Sequence, residues 1–220
     1  SQPIQFFLRE IVINFQNIDL YGAHLVSKHL VIFITFFISG IFFRLLLKKV
    51  IENDIFVFLS TLIYLFYPYL LGHSFFNLKD IPFMSFWLIC TYLSFNIFEK
   101  LIENKLPNYL NILIFSFLSA YLISIRLTGI LIFFQYLITL LIFISVTKIN
   151  FGNFFKKNYK QFSLFIILTV FFTYILYPVF WQGPLLILEA INSLSKWYLD
   201  VCTLTLGKCM ESKNLDPTYI

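Results

Sequence analysis

The stretch Gly72-His73-Ser74-Phe75-Phe76-Asn77-Leu78-Lys79-Asp80-Ile81-Pro82-Phe83 is a polar interruption between two long apolar segments. Helix caps explain part of it, because Gly72 suits the end of one helix and Asn77 or Asp80 suits the start of the next. Caps do not explain why His73 and Lys79 stand beside them. Two interpretations stay open: a plain turn between membrane helices, and a functional site at the membrane face.

The composition around this stretch is typical of a membrane protein. Of the 220 residues, 60% are hydrophobic and only 12% are charged, about half the charged share of a soluble domain. The mean hydropathy is +0.85. Too little polar surface is present to cover a water-soluble core, so the composition indicates an integral, multi-pass membrane protein. No basic run alternates with aromatic residues in a polar segment, which excludes nucleic acid as a partner.

Hydropathy predicts an all-α fold, a single membrane domain (1–220) built as a bundle of about six transmembrane helices. Six apolar segments have 17 to 20 residues each, close to the ~20 residues that cross a hydrocarbon core of ~30 Å. The predicted spans are 28–47, 55–71, 81–98, 109–125, 127–146 and 162–181.

Segments outside the spans are predicted to contain amphipathic helices on the external face. In 1–27 and in the region 182–220, apolar residues recur at helical spacing. These residues are Ile4, Phe7, Leu8, Ile11 and Phe15, then Ile187, Ile191, Leu194 and Tyr198. Residues 201–220 are predicted to be irregular. Two cysteines there, Cys202 and Cys209, either form a disulfide or stay free thiols.

Basic residues are distributed unequally between the connections of the predicted spans. The connections after the first, third and fifth spans hold nine of them, whereas the other two hold only Lys79 and Arg126. The nine are Arg44, Lys48, Lys49, Lys100, Lys105, Lys148, Lys156, Lys157 and Lys160. The positive-inside rule therefore places these nine in the cytoplasm. Lys79 and Arg126 then face outside, together with 1–27 and the tail after 181.

Arg126 is the one charge between residues 109 and 146, so its guanidinium must sit at the outer membrane boundary. Arginine is suited to bidentate phosphate binding, to which Lys79 and His73 would contribute. These residues predict a basic cluster at the depth of a lipid phosphate, with Asp80 as its carboxylate. The alternative is that Arg126 only snorkels or pairs with Asp80.

The block Tyr67-Pro68-Tyr69-Leu70-Leu71-Gly72-His73-Ser74-Phe75-Phe76-Asn77-Leu78-Lys79-Asp80-Ile81-Pro82-Phe83 resembles the second external loop of GT-C glycosyltransferases. The similar members are those that use polyprenyl- or dolichyl-phosphate sugars, such as protein O-mannosyltransferases and the aminoarabinose transferase of lipid A. Weaker matches are Ser124-Ile125-Arg126-Leu127-Thr128-Gly129 and Tyr177-Pro178-Val179-Phe180-Trp181. The resemblance covers roughly residues 20–200.

This resemblance implies an inverting glycosyltransferase that moves a mannose-like hexose or related sugar from a polyprenyl- or dolichyl-phosphate donor to a protein, lipid or glycan acceptor. Asp80 would be a supporting acid, with His73 and Lys79 as further catalytic residues. Arg126, Lys79 and His73 would contact the donor phosphate, and Asn77 the sugar or acceptor.

The resemblance also implies that part of the site is missing from this chain. The catalytic base of the family follows a first span without a counterpart here, and the acids Glu10 and Asp19 lack the expected neighbours. We therefore expect the base upstream of Ser1 and expect this piece alone to be inactive. No cofactor is predicted, and a divalent metal is left open because one carboxylate is too few ligands.

Other functions and two locations remain open at this point. A transporter, flippase or polymerase of lipid-linked saccharides would place polar or broken helices at the bilayer midplane. The middles of the predicted spans carry only uncharged polar residues, which favours chemistry at the surface. A non-catalytic scaffold is a third possibility. The expected location is the bacterial plasma membrane, with the endoplasmic reticulum membrane as the alternative.

Overall fold

The computed structural model describes residues 20–177, 181, 183, 186, 202–205 and 208–211, and these are helical apart from one short hairpin and the connections. The predicted amphipathic segments at 1–19 and 187–200 lie outside the described residues. The chain divides into two compact units, Ser1–Leu176 and Tyr177–Ile220.

The helices of the first unit overlap the predicted spans and differ from several of them in their ends. They are α1 (Leu20–Leu47), α2 (Asp54–Phe66), α3 (Pro68–Ser74), α4 (Asp80–Ile102), α5 (Tyr109–Ile125), α6 (Ile132–Thr147) and α7 (Phe151–Leu176). A 3₁₀ turn, Leu127–Leu131, joins α5 to α6. Within the described part, four helical runs are long and apolar enough to cross a membrane, or five if α2 and α3 form one bent span. The helical fold class and the membrane setting are therefore confirmed in this coarse form.

The second predicted span is not one straight helix. Pro68 follows Tyr67, whose extended backbone (φ −60°, ψ 118°) separates α2 from α3, and the two helices are bent by 54°. The ring of a proline disfavours the α conformation in the residue before it, which explains the break. The prediction for Gly72 was also wrong, since it lies inside α3 and Phe75 is the C-cap.

Two other spans begin earlier than hydropathy predicts. Helix α1 starts at Leu20 instead of residue 28, and α7 starts at Phe151 instead of residue 162. The early turns of α7 bury Phe154 and Asn158, and Asn158 Nδ2 donates to the Phe154 carbonyl at 3.1 Å. Hydropathy missed these turns because exposed lysines interrupt the apolar run.

The core lies between α4, α5, α6 and α7, while α1 packs against α2 and α4. Its buried side chains include Cys90, Phe115, Leu122, Tyr136 and Leu140. A smaller cluster joins α1 to α4 through Ile32, Phe36 and Ile81. Serines are buried at the helix contacts, where small side chains let helices approach closely. They are Ser27, Ser39, Ser85, Ser94, Ser116 and Ser119.

Most described hydroxyl groups of the spans bond within their own helix. Thr35, Thr61 and Thr169 each donate to the carbonyl four residues earlier at 2.7 Å, and Ser116 does so at 2.8 Å. This back-bonding satisfies a polar group where no water is available.

A smaller set of hydrogen bonds crosses from helix to helix. Ser39 meets Tyr64 at 2.7 Å between α1 and α2, and Ser119 meets Tyr136 at 2.9 Å between α5 and α6. Gln135 of α6 accepts a hydrogen bond from Trp87 Nε1, and its Nε2 donates to Thr91 Oγ1 at 2.7 Å. These bonds fix the spans relative to one another.

Polar contacts near the helix ends show which connections between helices lie at the same end of the bundle. Lys49 pairs with Glu99 at 2.5 Å and Lys157 donates to Asn104 at 2.7 Å, which brings the connections after α1, α4 and α6 to one end. Arg126 pairs with Asp80 at the opposite end. This arrangement matches the alternation on which the predicted orientation rests.

The second unit contains an antiparallel pair of strands, so the prediction of irregular structure was wrong for 202–205 and 208–211, the residues of 201–220 that the structure describes. Strand β1 (Cys202–Thr205) pairs with β2 (Lys208–Glu211), with Leu204 opposite Cys209 and Cys202 opposite Glu211. The signal was present: Thr-Leu-Thr has high strand propensity, and only Leu206 and Gly207 separate the strands. The pairing of Cys202 with Cys209 stays a prediction.

Candidate functional site

The first part of the site is the loop between α3 and α4, which begins with helical hydrogen bonds at the end of α3. Gly72 O accepts from Phe75 N at 3.3 Å, and His73 O accepts from the N–H groups of Phe76 and Asn77 at 3.2 and 2.8 Å. The buried Ser74 donates from Oγ to Leu71 O at 2.6 Å. These bonds continue the helical winding past its last residue, which places Asn77 one turn beyond His73.

Asn77 organises the polar groups of this loop. Its Oδ1 accepts from the backbone N–H groups of Lys79 and Asp80 at 3.2 and 2.8 Å, so it satisfies the first N–H groups of α4. The N-cap position itself is Lys79, not Asn77 or Asp80 as predicted. The Nδ2 atom of Asn77 must then face the other way, where it donates to Asp80 Oδ2 at 3.0 Å and lies 3.2 Å from His73 Nδ1. The His73 Nδ1 atom therefore accepts, and in the neutral ring the proton is on Nε2.

Two aromatic rings contact the imidazole ring of His73, in addition to the hydrogen bond at its Nδ1 atom. Its ring centroid lies 4.3 Å from that of Tyr69 and 5.0 Å from that of Phe76. These contacts, with the bond to Asn77, restrain the imidazole and leave Nε2–H as a donor in a defined direction. The sequence singled out His73 but not Tyr69 and Phe76. These two residues lie about one helical turn before and after His73, and that spacing could have indicated that their rings contact the imidazole.

Arg126 forms an ion pair with Asp80, from Nη2 to Oδ1. Both side chains are about half exposed, at 45% and 54%. This contact is the alternative that the sequence left open for Arg126. Through Asp80 and Asn77 it connects the end of α5 to the end of α3.

Gly129 stabilises the backbone conformation of the turn that begins at Arg126. The Arg126 residue is extended (φ −146°, ψ 135°), its N–H bonds to Leu122 O at 3.3 Å and its carbonyl accepts from Gly129 N at 2.8 Å. A Cβ at Gly129 would stand 2.8 Å from Leu122 O. Only glycine lets the 3₁₀ turn pack directly on the last turn of α5, and sequence reasoning did not find this role.

In the part of the chain that the structure describes, Lys79 joins the hydrogen-bonded network only through its backbone N–H, and it also lines an adjacent cavity. The cavity of about 680 Å³ is lined mainly by α1, α4, α5 and the connection before α4, and Lys79 is among the lining residues. Polar side chains in the lining include Thr35, Tyr121 and Ser124, and the rest are mostly apolar, such as Phe86 and Leu176. No ion pair of Lys79 occurs among the described residues, so the cavity has a cationic group available to a ligand.

The structure thus brings four of the five predicted site residues into one chain of contacts, His73–Asn77–Asp80–Arg126, and places Lys79 in the neighbouring cavity. Over the described ranges, no three His, Cys, Asp or Glu side chains lie close enough together to hold a metal ion. The arrangement offers donors at Arg126, Lys79 and His73 Nε2 to an anionic or hydroxyl-rich ligand, with apolar walls beside them.

Comparison with known proteins returned no similarity: no family model matches the chain, and no curated protein or solved structure matches it.

Proposed function

We propose that this protein is a membrane glycosyltransferase of the GT-C type. It would transfer a mannose-like hexose or related sugar from a polyprenyl- or dolichyl-phosphate donor to a protein, lipid or glycan acceptor. The observation that carries the proposal is the cavity that holds Lys79 next to the Asp80–Arg126 pair. A lipid-linked donor requires apolar walls for its chain and cations for its phosphate, and this region supplies both.

The ion pair is compatible with phosphate binding at Arg126. The guanidinium has five N–H donors, and the contact with Asp80 is made through Nη2. Nη1 and Nε remain to bind a phosphate oxygen, while Asp80 fixes the plane of the guanidinium. Lys79 would neutralise a second oxygen of the leaving lipid phosphate.

His73 and Asn77 would act on the sugar side of the same site. Because Nδ1 of His73 accepts from Asn77, its Nε2–H is the group that can donate to a sugar hydroxyl or phosphate oxygen. The side-chain amide of Asn77 already forms hydrogen bonds with the N-terminus of α4, with His73 and with Asp80. We therefore assign Asn77 as a positioning residue in addition to the predicted contact with sugar or acceptor.

The proposal includes a six-span topology with this site on the external face. The six spans would be α1, the bent pair α2–α3, α4, the shorter apolar helix α5, the run Leu127–Thr147 and α7. Orientation rests on the nine basic residues at the opposite end. The membrane would be the bacterial plasma membrane or, alternatively, that of the endoplasmic reticulum.

Sugar transfer in membranes that contain the natural full-length protein tests the proposal. A polyprenyl-phosphate donor with a radiolabelled mannose is added, and label in endogenous acceptors is counted. We expect Asp80→Asn and Arg126→Ala to lower transfer at least a hundredfold at equal expression, on the scale of losing one preorganised charged group. Lys105→Ala, on the other membrane face, is the matched control and should transfer normally. Normal transfer by both site variants would refute the assignment.

A transporter or flippase of lipid-linked saccharides is the second candidate. The observation in its favour is the 54° break at Pro68, because transporters build their sites from broken helices. Against it, the amide of Gln135 is already engaged by Trp87 and Thr91 of α4. In proteoliposomes, movement of a fluorescent polyprenyl-phosphate sugar across the bilayer without sugar transfer would favour this candidate.

A further inference from the structure

The first turns of α7 present two lysines away from the protein core. Lys156 and Lys160 stand one helical turn apart, with Tyr159 between them, and all three side chains are exposed. Phe154 and Asn158 of the same turns are buried. We call Lys156, Tyr159 and Lys160 the basic strip.

The charges of the basic strip are not balanced by neighbouring carboxylates. The described ion pairs and side-chain hydrogen bonds include none from Lys156 or Lys160. Other lysines at this end are paired: Lys49 with Glu99, and Lys105 with Glu103 at 2.8 Å. The hydrogen bond and charge of Lys105 lower the pKa of Glu103, as expected for an engaged carboxylate.

The length of α7 places the basic strip at the membrane boundary. Its 26 residues span about 39 Å at 1.5 Å per residue, whereas the hydrocarbon core is ~30 Å thick. About six residues therefore extend beyond the core. If Leu176 marks one boundary, the other falls near Lys157. Exposed tyrosine beside lysine is typical of this depth, where the ammonium groups meet lipid headgroups.

We propose that the basic strip binds the phosphate of an anionic phospholipid in the leaflet at this end of the helices. Lys156 and Lys160 would hold phosphate oxygens from one side of α7, and Tyr159 would lie between the headgroup and the acyl chain. Charge complementarity selects this occupant, because lipid phosphates supply the counter-charge that the described residues do not provide here. The site is distant from the proposed catalytic site, at the opposite ends of the spans.

Native mass spectrometry of the purified protein, with phosphatidylglycerol or phosphatidylcholine titrated into the micelles, tests this site. We expect a phosphatidylglycerol adduct that is retained preferentially over phosphatidylcholine. The double variant Lys156→Gln/Lys160→Gln should weaken its apparent affinity by roughly tenfold to thirtyfold, since each lysine near a lipid surface contributes about a factor of five. Both positions are exposed, so we expect the variant to fold.

Lys49→Gln/Lys105→Gln is the matched control, because it removes the same charge from lysines already paired with carboxylates. We expect it to change the affinity less than twofold. The proposal is overturned if the two double variants lose binding equally, which would indicate general charge attraction. It is also overturned if Lys156→Gln/Lys160→Gln binds phosphatidylglycerol as tightly as the unmodified protein.

Discussion

Asn77 and Asp80 are joined by two hydrogen bonds of opposite direction. The Asp80 backbone N–H donates to Asn77 Oδ1 at 2.8 Å, and Asn77 Nδ2 donates to Asp80 Oδ2 at 3.0 Å. The first bond starts α4 and the second orients the carboxylate that meets Arg126. One asparagine thus links the beginning of a helix to the geometry of the proposed site.

Replacing Asn77 by alanine should show how much the side chain contributes to stability, through the start of α4, and how much to activity, through the orientation of Asp80. We expect a loss of about 1 kcal/mol from the missing hydrogen bonds at the start of α4, and a much larger loss of sugar transfer because Asp80 and His73 lose their common partner. Asn108→Ala is the control, since Asn108 Oδ1 also accepts from a helix N-terminus, at Leu110 N, 3.2 Å. Thermal unfolding in detergent and sugar transfer are measured together. Equal losses of transfer in both variants would show that Asn77 acts only through stability.

Gly129→Ala should destabilise the protein and displace Arg126. The added Cβ would meet Leu122 O at 2.8 Å, and an overpacked contact of this kind costs about 1–3 kcal/mol. Gly72→Ala provides the contrast, because nothing lies within 4 Å of a Cβ there and alanine is favoured inside a helix by about 0.5–1 kcal/mol. Melting temperatures should shift in opposite directions. A neutral Gly129→Ala variant would contradict the tight turn between α5 and α6.

Gln135→Leu should weaken the contact between α4 and α6. The substitution removes the acceptor of Trp87 Nε1 and the donor to Thr91. Interhelical hydrogen bonds in membrane proteins contribute about 0.6 kcal/mol on average and up to about 1.7 kcal/mol, so we expect a loss in that range on unfolding in SDS. Thr147→Val is the control, because that hydroxyl bonds only carbonyls of its own helix, Phe143 and Ile144. It should be neutral within error.

Cysteine labelling should place positions 79 and 105 on opposite sides of the membrane. In a background with Cys202→Ser and Cys209→Ser, Cys90 is fully buried and should not react. We expect Lys79→Cys to react with a membrane-impermeant maleimide on intact cells, and Lys105→Cys only after permeabilisation. The reverse pattern would invert the topology and move the proposed site to the cytoplasm.

Hydropathy was sufficient to predict where the apolar helices of the described part lie, but not their exact ends. The apolar run 109–125 coincides with α5, since Asn108 and Arg126 bound it with polar residues. At α7 the same method placed the start eleven residues late, because Lys156 and Lys160 are exposed on a helix whose other side is buried. Hydropathy averages over all faces of a helix and therefore cannot detect a buried face beside charged residues.

The residues of the candidate site could be named from the sequence, but its long-range contacts could at most be given as alternatives, as for Arg126 and Asp80. Polar groups in 73–80 stand out against their apolar surroundings, and the bond of Asn77 to the start of α4 followed from its place before Asp80. The ion pair of Asp80 with Arg126 joins residues that are far apart in the chain. So does the bond between Trp87 and Gln135. Such pairings depend on how helices pack, which a single sequence does not specify.

The hydroxyl groups that bond within their own helices bear on how the protein is made. Thr35, Thr61, Ser116 and Thr169 already have their acceptors before any other span is present. Each of these segments can therefore leave the translocon and enter lipid singly, without waiting for a partner. Gln135 is different, because its amide bonds reach α4. Because α4 precedes α6 in the chain, Trp87 and Thr91 are already in the membrane when Gln135 emerges, which makes the insertion of α6 the step at which assembly of the bundle is coordinated.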